Sequence, residues 1–496
     1  MHAPATGFVR REGTQLLGPD GKPTHFRGVG IGNWLLPEGY MWRFFAGATR
    51  PRLMERRLAE LAGREYGDAF WPRFRDVFFT ADDVAAIKAA GFDHVRLPFN
   101  WRLFMDETTG DWVEEGFTRL QQAVDWCRAE GLLVLLDLHG APGGQTGANI
   151  DDSEHDRPEV FESPHRERCL ALWVEVARRF ADDTTVMGYD LLNEPCRDEF
   201  QHRHADDLAL LYRDLSRAIR TVDPHHLLMY EGSHWATNVS IFTDPAHADF
   251  WDENSCLQFH RYWDAPDRDG LARFLAAADQ LDRPLYMGEG GENSVGWLRA
   301  AFGSYDQLGI SWNFWPWKKL HNPSSPADAP APEGWDEVVA VFEATDPQGS
   351  GPTAERTREL FDAVLESFRL ERCTQHQALL DALLQAPRGV LPAYAVEHRW
   401  GEPVGSGVRA LDGWTIEHRG GDQGANPFSA DPAERARAGE HVLLLAPGER
   451  ATFRVAGRPA EAQVIGSSSA SIEMHDDRLV VTGGPGGSEV VGIRLG

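Results

Sequence analysis

The sequence predicts an α/β protein: a (β/α)8 TIM barrel carrying a C-terminal antiparallel β-sandwich. Three observations carry this. Short β-rich runs alternate with helix-like stretches eight times before residue 320, and that alternation implies parallel pairing. One of the runs, LLVLLDL, is apolar almost without interruption, as a strand buried on both faces requires, and eight such units close into a barrel more readily than they spread as an open sheet. From about Arg388 onward the text changes to short strands punctuated by Gly, Pro and Asp, as in HVLLLAPGERATFRVAG, the pattern of an antiparallel sandwich.

Taken in order, residues 8–23 read as a hairpin turning at Pro19-Asp20-Gly21. The eight barrel strands are expected at 24–34, 93–99, 132–140, 186–195, 226–233, 255–263, 284–291 and 310–317. Among the helices between them, 80–90 is opened by Thr80 as N-cap, carries Asp82 and Asp83 in its first turn and is stopped by Gly91. Another is expected at 115–130. After the eighth strand, the Pro/Ala/Ser-rich stretch 322–332 reads as a long loop. A helix starting near Thr353 closes the barrel and a further helix covers 374–385, which gives a catalytic-sized domain over 1–385 and a sandwich over 386–496.

Composition narrows the partners. A formal net charge of −27 over 496 residues argues against nucleic acid or an anionic membrane surface, since phosphate binding needs clustered Lys and Arg. No apolar run is long enough for an integral membrane segment. The five cysteines are scattered with no CxxC pair, and the N-terminus has no apolar leader, so a cytoplasmic address is expected. Seventeen tryptophans, several at strand ends, suit stacking against the apolar faces of sugar rings.

In a barrel of this kind the active site lies at the C-terminal ends of the strands. Arg96 falls near the end of the second strand, His139 of the third, Asn193 and Glu194 of the fourth, His260 and Tyr262 of the sixth, Glu289 of the seventh and Trp315 of the eighth. A lone Glu at a strand end is usually a salt-bridge partner. Eight polar or aromatic residues at the ends of six strands are not explained that way. Carboxylates on strands four and seven face each other across the barrel mouth, the arrangement glycoside hydrolysis needs, with a separation of about 5–5.5 Å if the reaction retains configuration. Glu194 is then the general acid/base, its proton held by burial and by its neighbour's charge, and Glu289 the ionised nucleophile. Arg96 is placed to keep Glu289 charged, Asn193 to reach a sugar 2-hydroxyl and Tyr262 to hydrogen-bond the nucleophile. His139 and His260 hold hydroxyls or tune the acid. This chemistry calls for no cofactor and no metal. His202 and His204, which could suggest one, lack a third ligand at suitable spacing.

With Arg96 in HVRLPF, His139 in LDLHGAPG, Asn193-Glu194-Pro195, His260 and Tyr262 in FHRYW, Glu289 in MGEGG and Trp315 in WNFW, the chain resembles glycoside hydrolase family 5 over roughly residues 24–370. The resemblance implies a retaining mechanism through a covalent glycosyl-enzyme. Two stretches, RGVGIGNWLLPEG (27–39) and DLHGAPGGQTG (137–147), resemble the exo-β-1,3-glucanases of that family and imply that Glu38 binds a hydroxyl of the terminal sugar. A barrel followed by a sandwich is similar to the glycosphingolipid-cleaving members, including endoglycoceramidases.

The expected substrate is therefore a carbohydrate or glycoconjugate, foremost a β-glucoside or small β-glucan oligosaccharide attacked from its end. Three insertions (36–79, 143–165 and 316–353) are long enough to wall a pocket on the catalytic rim. A glycolipid glycosidase is the alternative, with Tyr40, Met41, Trp42, Phe44 and Phe45 receiving a lipid aglycone. A non-catalytic carbohydrate-binding protein is the alternative of another class, and the intact pair of carboxylates speaks against it. The acidic run 151–156 is expected to border the cleft, and Lys318-Lys319 to be a solvated pair.

Overall fold

The computed structural model describes residues 7–384 apart from 264–268, 294, 323 and 345–350, and beyond 384 the strands between 407 and 495. A two-stranded antiparallel hairpin comes first, β1 (Arg10–Glu12) and β2 (Gln15–Leu17). Its turn is at Gly13, which takes φ +58°, rather than at Pro19-Asp20-Gly21. The Pro-Asp-Gly turn forms a second loop immediately after, where Gly21 N–H bonds the Gly18 carbonyl at 2.8 Å. Both signals in the text are real turns; pairing of Leu17 with Arg10 decides which one closes the hairpin.

Eight parallel strands then close a barrel: β3 (Arg27–Gly30), β4 (His94–Asn100), β5 (Leu133–Gly140), β6 (Val186–Asp190), β7 (Leu227–Glu231), β8 (Ser255–His260), β9 (Leu285–Gly291) and β10 (Ser311–Trp315), with β10 returning to pair β3. Every residue of β4 and β9 is buried, and β5 is buried but for the partly covered Leu133, as expected of strands covered by barrel interior and helices alike. The register slips between Phe259 and His260 where β8 pairs β9, an irregularity of the kind that re-aims a side chain at the rim. The helix Ala81–Ala90 is capped as its sequence predicts, with Thr80 and Asp83 forming a reciprocal capping box and Gly91 in the left-handed region.

The rim insertions carry structure of their own. Residues 36–79 form two helices, Pro51–Ala62 and Arg64–Phe78. Their aromatic residues turn inward. Met41, Trp42 and Phe44 are fully buried and Tyr40 nearly so, with Trp42 packed on Phe74 and Phe368 (ring centroids 4.9 and 5.1 Å) and Phe44 stacked on Phe342 at 4.3 Å. Four of the five residues of the expected aromatic patch thus pack inward, against the insertion and against Phe342 and Phe368 beyond it, rather than facing out as a receptor for a lipid chain, and Phe45 is half-buried. The stretch read as a plain loop at 322–332 contributes a short strand, Ala327–Ala329, between Lys318–Leu320 and Thr374–Gln375. The lysine pair is not solvated either: Lys318 and Lys319 are both buried.

All barrel strands but the last residue of β9 belong to one compact unit (Met1–His260, Arg273–Gly290, Ile310–Gln375). A second unit gathers Arg261–Ala272, Gly291–Gly309 and His376–Gly496. In it the C-terminal strands pair as a five-stranded antiparallel sheet (Trp414–Glu417, Gly407–Leu411, Arg450–Val455, Arg478–Thr482, Ser471–His475) and a three-stranded one (His441–Leu445, Glu489–Leu495, Ala462–Ile465). How those two sheets face each other, and the expected boundary at 385/386, lie outside the described residues. Among the described residues no helix is long and apolar enough to cross a membrane.

Candidate active site

Arg96 is the hub of the barrel mouth. Fully buried on β4, it reaches carboxylates or amides contributed by β5, β6, β7 and β9. Its Nε donates to Asp190 Oδ2 at 2.8 Å and its Nη2 to Asn193 Oδ1 at 2.8 Å and Glu231 Oε1 at 3.3 Å. Nη2 also lies 3.1 Å from Asp137 Oδ2, while Nη1 donates to Glu289 Oε1. Burial works against a charged guanidinium, but the carboxylates of Asp137, Asp190, Glu289 and Glu231 outweigh it and hold Arg96 strongly protonated. The arginine in turn gives Glu289 the fixed positive partner that an ionised carboxylate needs at a buried position.

Glu194 has different company. Its backbone sits at φ +46°, in the left-handed region, and its N–H donates to Glu231 Oε2 at 2.6 Å. Its Oε1 lies 2.7 Å from His260 Nδ1. Burial raises its pKa and the charges of Glu289 and Glu231 add to that, against the lowering influence of His260. Glu194 and Glu289 thus meet with one oxygen of each within 4.8 Å of the other. His260, whose Nδ1 is also 3.6 Å from Glu289 Oε2, loses some basicity to burial but more than regains it from Glu231, Glu289 and Glu194.

A third group gathers around His139. Its Nδ1 is 2.7 Å from Asp137 Oδ2, and its ring stacks on Trp315 at 5.3 Å with 10° between the planes. Burial opposes protonation of His139, yet Asp137, Glu289 and Glu38 push its pKa up to about 9. Trp315 donates its indole N–H to Tyr40 Oη at 2.8 Å. Glu38 Oε1 lies 3.8 Å from His139 Nε2 and has no hydrogen-bond partner among the described residues. Burial, with Glu289 and Glu194 nearby, pushes Glu38 up to about 8 in spite of His139 and Lys319. Tyr262, also buried, lies in the second compact unit, where its carbonyl accepts from Asn293 Nδ2 at 2.7 Å.

The structure therefore brings Glu38, Arg96, His139, Asn193, Glu194, His260, Glu289 and Trp315 together in the first unit. Reading the chain missed five neighbours of equal structural weight. Asp137 and Gln258 stand two residues before His139 and His260, the same-face spacing of a strand, so period-two reading could have found them. Asp190 and Glu231 end β6 and β7. Gln145 donates its Nε2 to the carbonyls of His139 (2.7 Å) and Asn193 (2.9 Å), and nothing in its sequence context signals that role. The acidic run 151–156 serves the same loop: Asp151 accepts from Gln145 N, Thr146 N and Ser153 N, and Asp152 from Asn100 Nδ2 and Arg52 N.

Asp137-His139-Glu289 and Glu194-His260-Glu289 each bring three ligand-type atoms within 4.8 Å. Arg96 and two imidazoles of raised basicity already supply positive charge there, which opposes a metal ion at either cluster.

Residues 64–320, more than half of the chain, match the model of the Cellulase (glycosyl hydrolase family 5) family. The chain belongs to glycoside hydrolase family 5. This family 5 hydrolase is 34% identical over 257 residues to a beta-xylosidase of Phanerodontia chrysosporium, covering 51% of this chain and 52% of that protein. It is 32% identical over 195 residues to a probable glucan 1,3-beta-glucosidase A of Aspergillus niger, covering 39% and 46%. The matched stretch thus spans about half the length of these curated relatives. Among solved structures, one described as an endogalactoceramidase aligns with 99% of this chain and 100% of its own, at 17% identity and a TM-score of 0.49.

Proposed function

We propose that this family 5 enzyme is a retaining β-glycosidase in which Glu194 is the general acid/base and Glu289 the nucleophile, acting from the chain end on β-glucosides or small β-glucan oligosaccharides. The observation that carries the assignment is the asymmetry of the two carboxyls. Glu289 is held by the permanent charge of Arg96, whereas Glu194 is buried beside two further carboxylates and its basicity is raised. A group that must donate a proton and then take one back needs the second environment, and a group that must attack as an anion needs the first. Their approach within 4.8 Å supports a direct attack on the anomeric carbon, because an inverting enzyme leaves about 6.5–9.5 Å for a water.

In the first step Glu289 bonds to the anomeric carbon as the glycosidic C–O bond breaks, and the aglycone leaves as an alcohol carrying the proton given by Glu194. In the second, Glu194 takes a proton from water, which displaces Glu289 with net retention. Exo-action finds its support in Glu38, a buried carboxyl with an unpartnered oxygen beside the His139–Trp315 stack, chemistry that suits a terminal sugar hydroxyl. The names of the relatives, a β-xylosidase and glucan 1,3-β-glucosidases, favour β-linked xylosyl or glucosyl substrates.

Chemical rescue tests the roles. With a dinitrophenyl β-glycoside, Glu194→Ala should form the glycosyl-enzyme but turn over slowly, and added azide should restore turnover as the β-azide. Glu289→Ala should instead yield the α-azide by direct displacement. The opposite pairing of products would reverse the two assignments. Running β-glucoside against β-xyloside, and following product release from a long β-glucan, identifies the sugar and the mode of attack; random internal cuts would remove the exo reading.

A further inference from the structure

Glu231, at the end of β7, touches both partners of the acid/base. It is fully buried, and its two carboxylate oxygens do different things. Oε2 takes the backbone N–H of Glu194 at 2.6 Å, at the very residue whose φ is +46°. Oε1 lies 3.1 Å from His260 Nε2, alongside Arg96 Nη2 at 3.3 Å and the Gln258 amide. His260 in turn presents Nδ1 to Glu194 Oε1 at 2.7 Å. One carboxylate thus fixes the backbone of Glu194 and, through a single imidazole, faces its side chain. The carbonyl of Glu231 is itself anchored by Tyr212 Oη at 2.9 Å.

We propose that Glu231 is a positioning residue for the acid/base: it pins the left-handed backbone of Glu194 and obliges His260 to carry a proton on Nε2, which orients the imidazole so that Nδ1 serves Glu194. This rests on the reading of Glu194 given above. Gln258 Nε2 also lies 3.3 Å from His260 Nε2, but its two hydrogens go to Asp190 Oδ2 and Glu231 Oε1, so among the described residues the contact of His260 Nε2 with the acceptor Glu231 Oε1 is satisfied by N–H. The charged groups around His260 are Glu194 from beyond β6, Glu231 from β7, Glu289 from β9 and, one shell out, Arg96 from β4 and Asp190 from β6 by way of Gln258. Of the three acids in direct contact with His260, Glu231 is the one that no step of the proposed reaction consumes.

In Glu231→Gln the amide oxygen can keep the Glu194 N–H, but the NH2 then meets three donors. His260 relieves the conflict by giving up the Nε2 proton and keeping Nδ1–H toward Glu194. Glu194 thereby loses a nearby cation together with a more distant anion, and the nearer charge prevails. The alkaline limb of kcat/KM should move up by about 0.5–1 pH unit. On a substrate with a poor leaving group kcat/KM should fall about tenfold, and on the dinitrophenyl glycoside, which needs little acid help, by less than about twofold. Glu231→Asp keeps the charge and shortens the reach, so its alkaline limb should stay with the wild type while its poor-leaving-group activity falls.

Nitrogen NMR of selectively labelled histidine, with His260→Gln for assignment, reads the imidazole directly. Wild-type His260 should hold its Nε2 proton between pH 5 and about 8; a bare Nε2 at neutral pH overturns the proposal, with no variant needed. An unmoved alkaline limb in Glu231→Gln, or a limb that shifts equally in Glu231→Asp, also overturns it. Failure of the azide test on Glu194→Ala would instead remove the acid/base reading, and the His260 resonances would still decide what Glu231 does.

Discussion

At the scale of single residues, Arg96 and Lys318 show why a buried cation is worth more than its charge. Arg96 serves Asp137, Asp190, Asn193, Glu231 and Glu289 with one planar fork. A lysine offers a point charge on a flexible stem and cannot reach them together. Arg96→Lys should therefore lower kcat/KM by about a hundredfold or more, because Glu289 and Asn193 lose their common anchor. Circular dichroism should show the fold retained at reduced stability; unchanged kinetics would mean that Glu289 needs no guanidinium. Glu231 itself escaped the sequence reading for a plain reason. In MYEGS nothing distinguishes it from a solvent-facing strand end, and its partners lie far away in sequence, His260 on β8 and Glu194 beyond the end of β6.

At the scale of elements, one buried lysine joins three helices. Lys318 Nζ donates to the carbonyls of Phe78 (2.7 Å) and Phe368 (3.0 Å), each at a helix C-terminal end, and pairs with Asp83 at 2.6 Å. Helix C-termini carry partial negative charge, so the ammonium is favoured by both. Asp83 meanwhile closes the capping box with Thr80 and accepts the Trp317 indole N–H at 2.9 Å. Lys318→Met should cost about 3–5 kcal/mol by leaving Asp83 buried without its cation, and Thr80→Ala about 1 kcal/mol as an ordinary lost cap. Urea midpoints should show that ranking; similar small shifts would mean that Lys318 is dispensable. The cap was legible because its signal is local, whereas the fate of the lysine depends on helices ending 240 and 50 residues away in sequence. The barrel strands were legible for the first reason, since each advertises itself as an apolar run. Strand Ala327–Ala329 was not, being three residues held by long-range pairing.

At the scale of the whole molecule, the site sets how stability depends on pH. Glu38 is raised by burial to about 8 from an ordinary 4.5, so the folded state binds its proton more tightly than the unfolded chain does. That contribution is complete below pH 4.5 and is lost as pH rises to about 8. His139, raised to about 9 from 6.5, adds a loss between those values. On the acid side Asp223, where hydrogen bonding to His226 overcomes burial, is lowered to about 2, and its stabilisation fades as pH falls from 3.8 toward that value. Thermal unfolding midpoints should therefore decline from about pH 4.5 to about pH 9, most steeply above pH 6.5 where both groups contribute. Glu38→Gln should flatten the part of the decline below pH 8, and an identical slope in that variant would exclude Glu38 as its source.

The way Arg96 is shared has a consequence for changing what this enzyme accepts. Five partners on one guanidinium mean that no single replacement among them is self-contained, since each strands a charge or an amide that the other four cannot take up. Variation, natural or engineered, is channelled away from the barrel mouth and into the surrounding insertions. The helices of 36–79 pack through Trp42 on Phe74 and Phe368, and loop 143–165 is tied by Asp151 and Asp152, so both can be redrawn provided Gln145 keeps its hold on the carbonyl of Asn193. Selectivity can drift there while the proton and electron bookkeeping stays where it is.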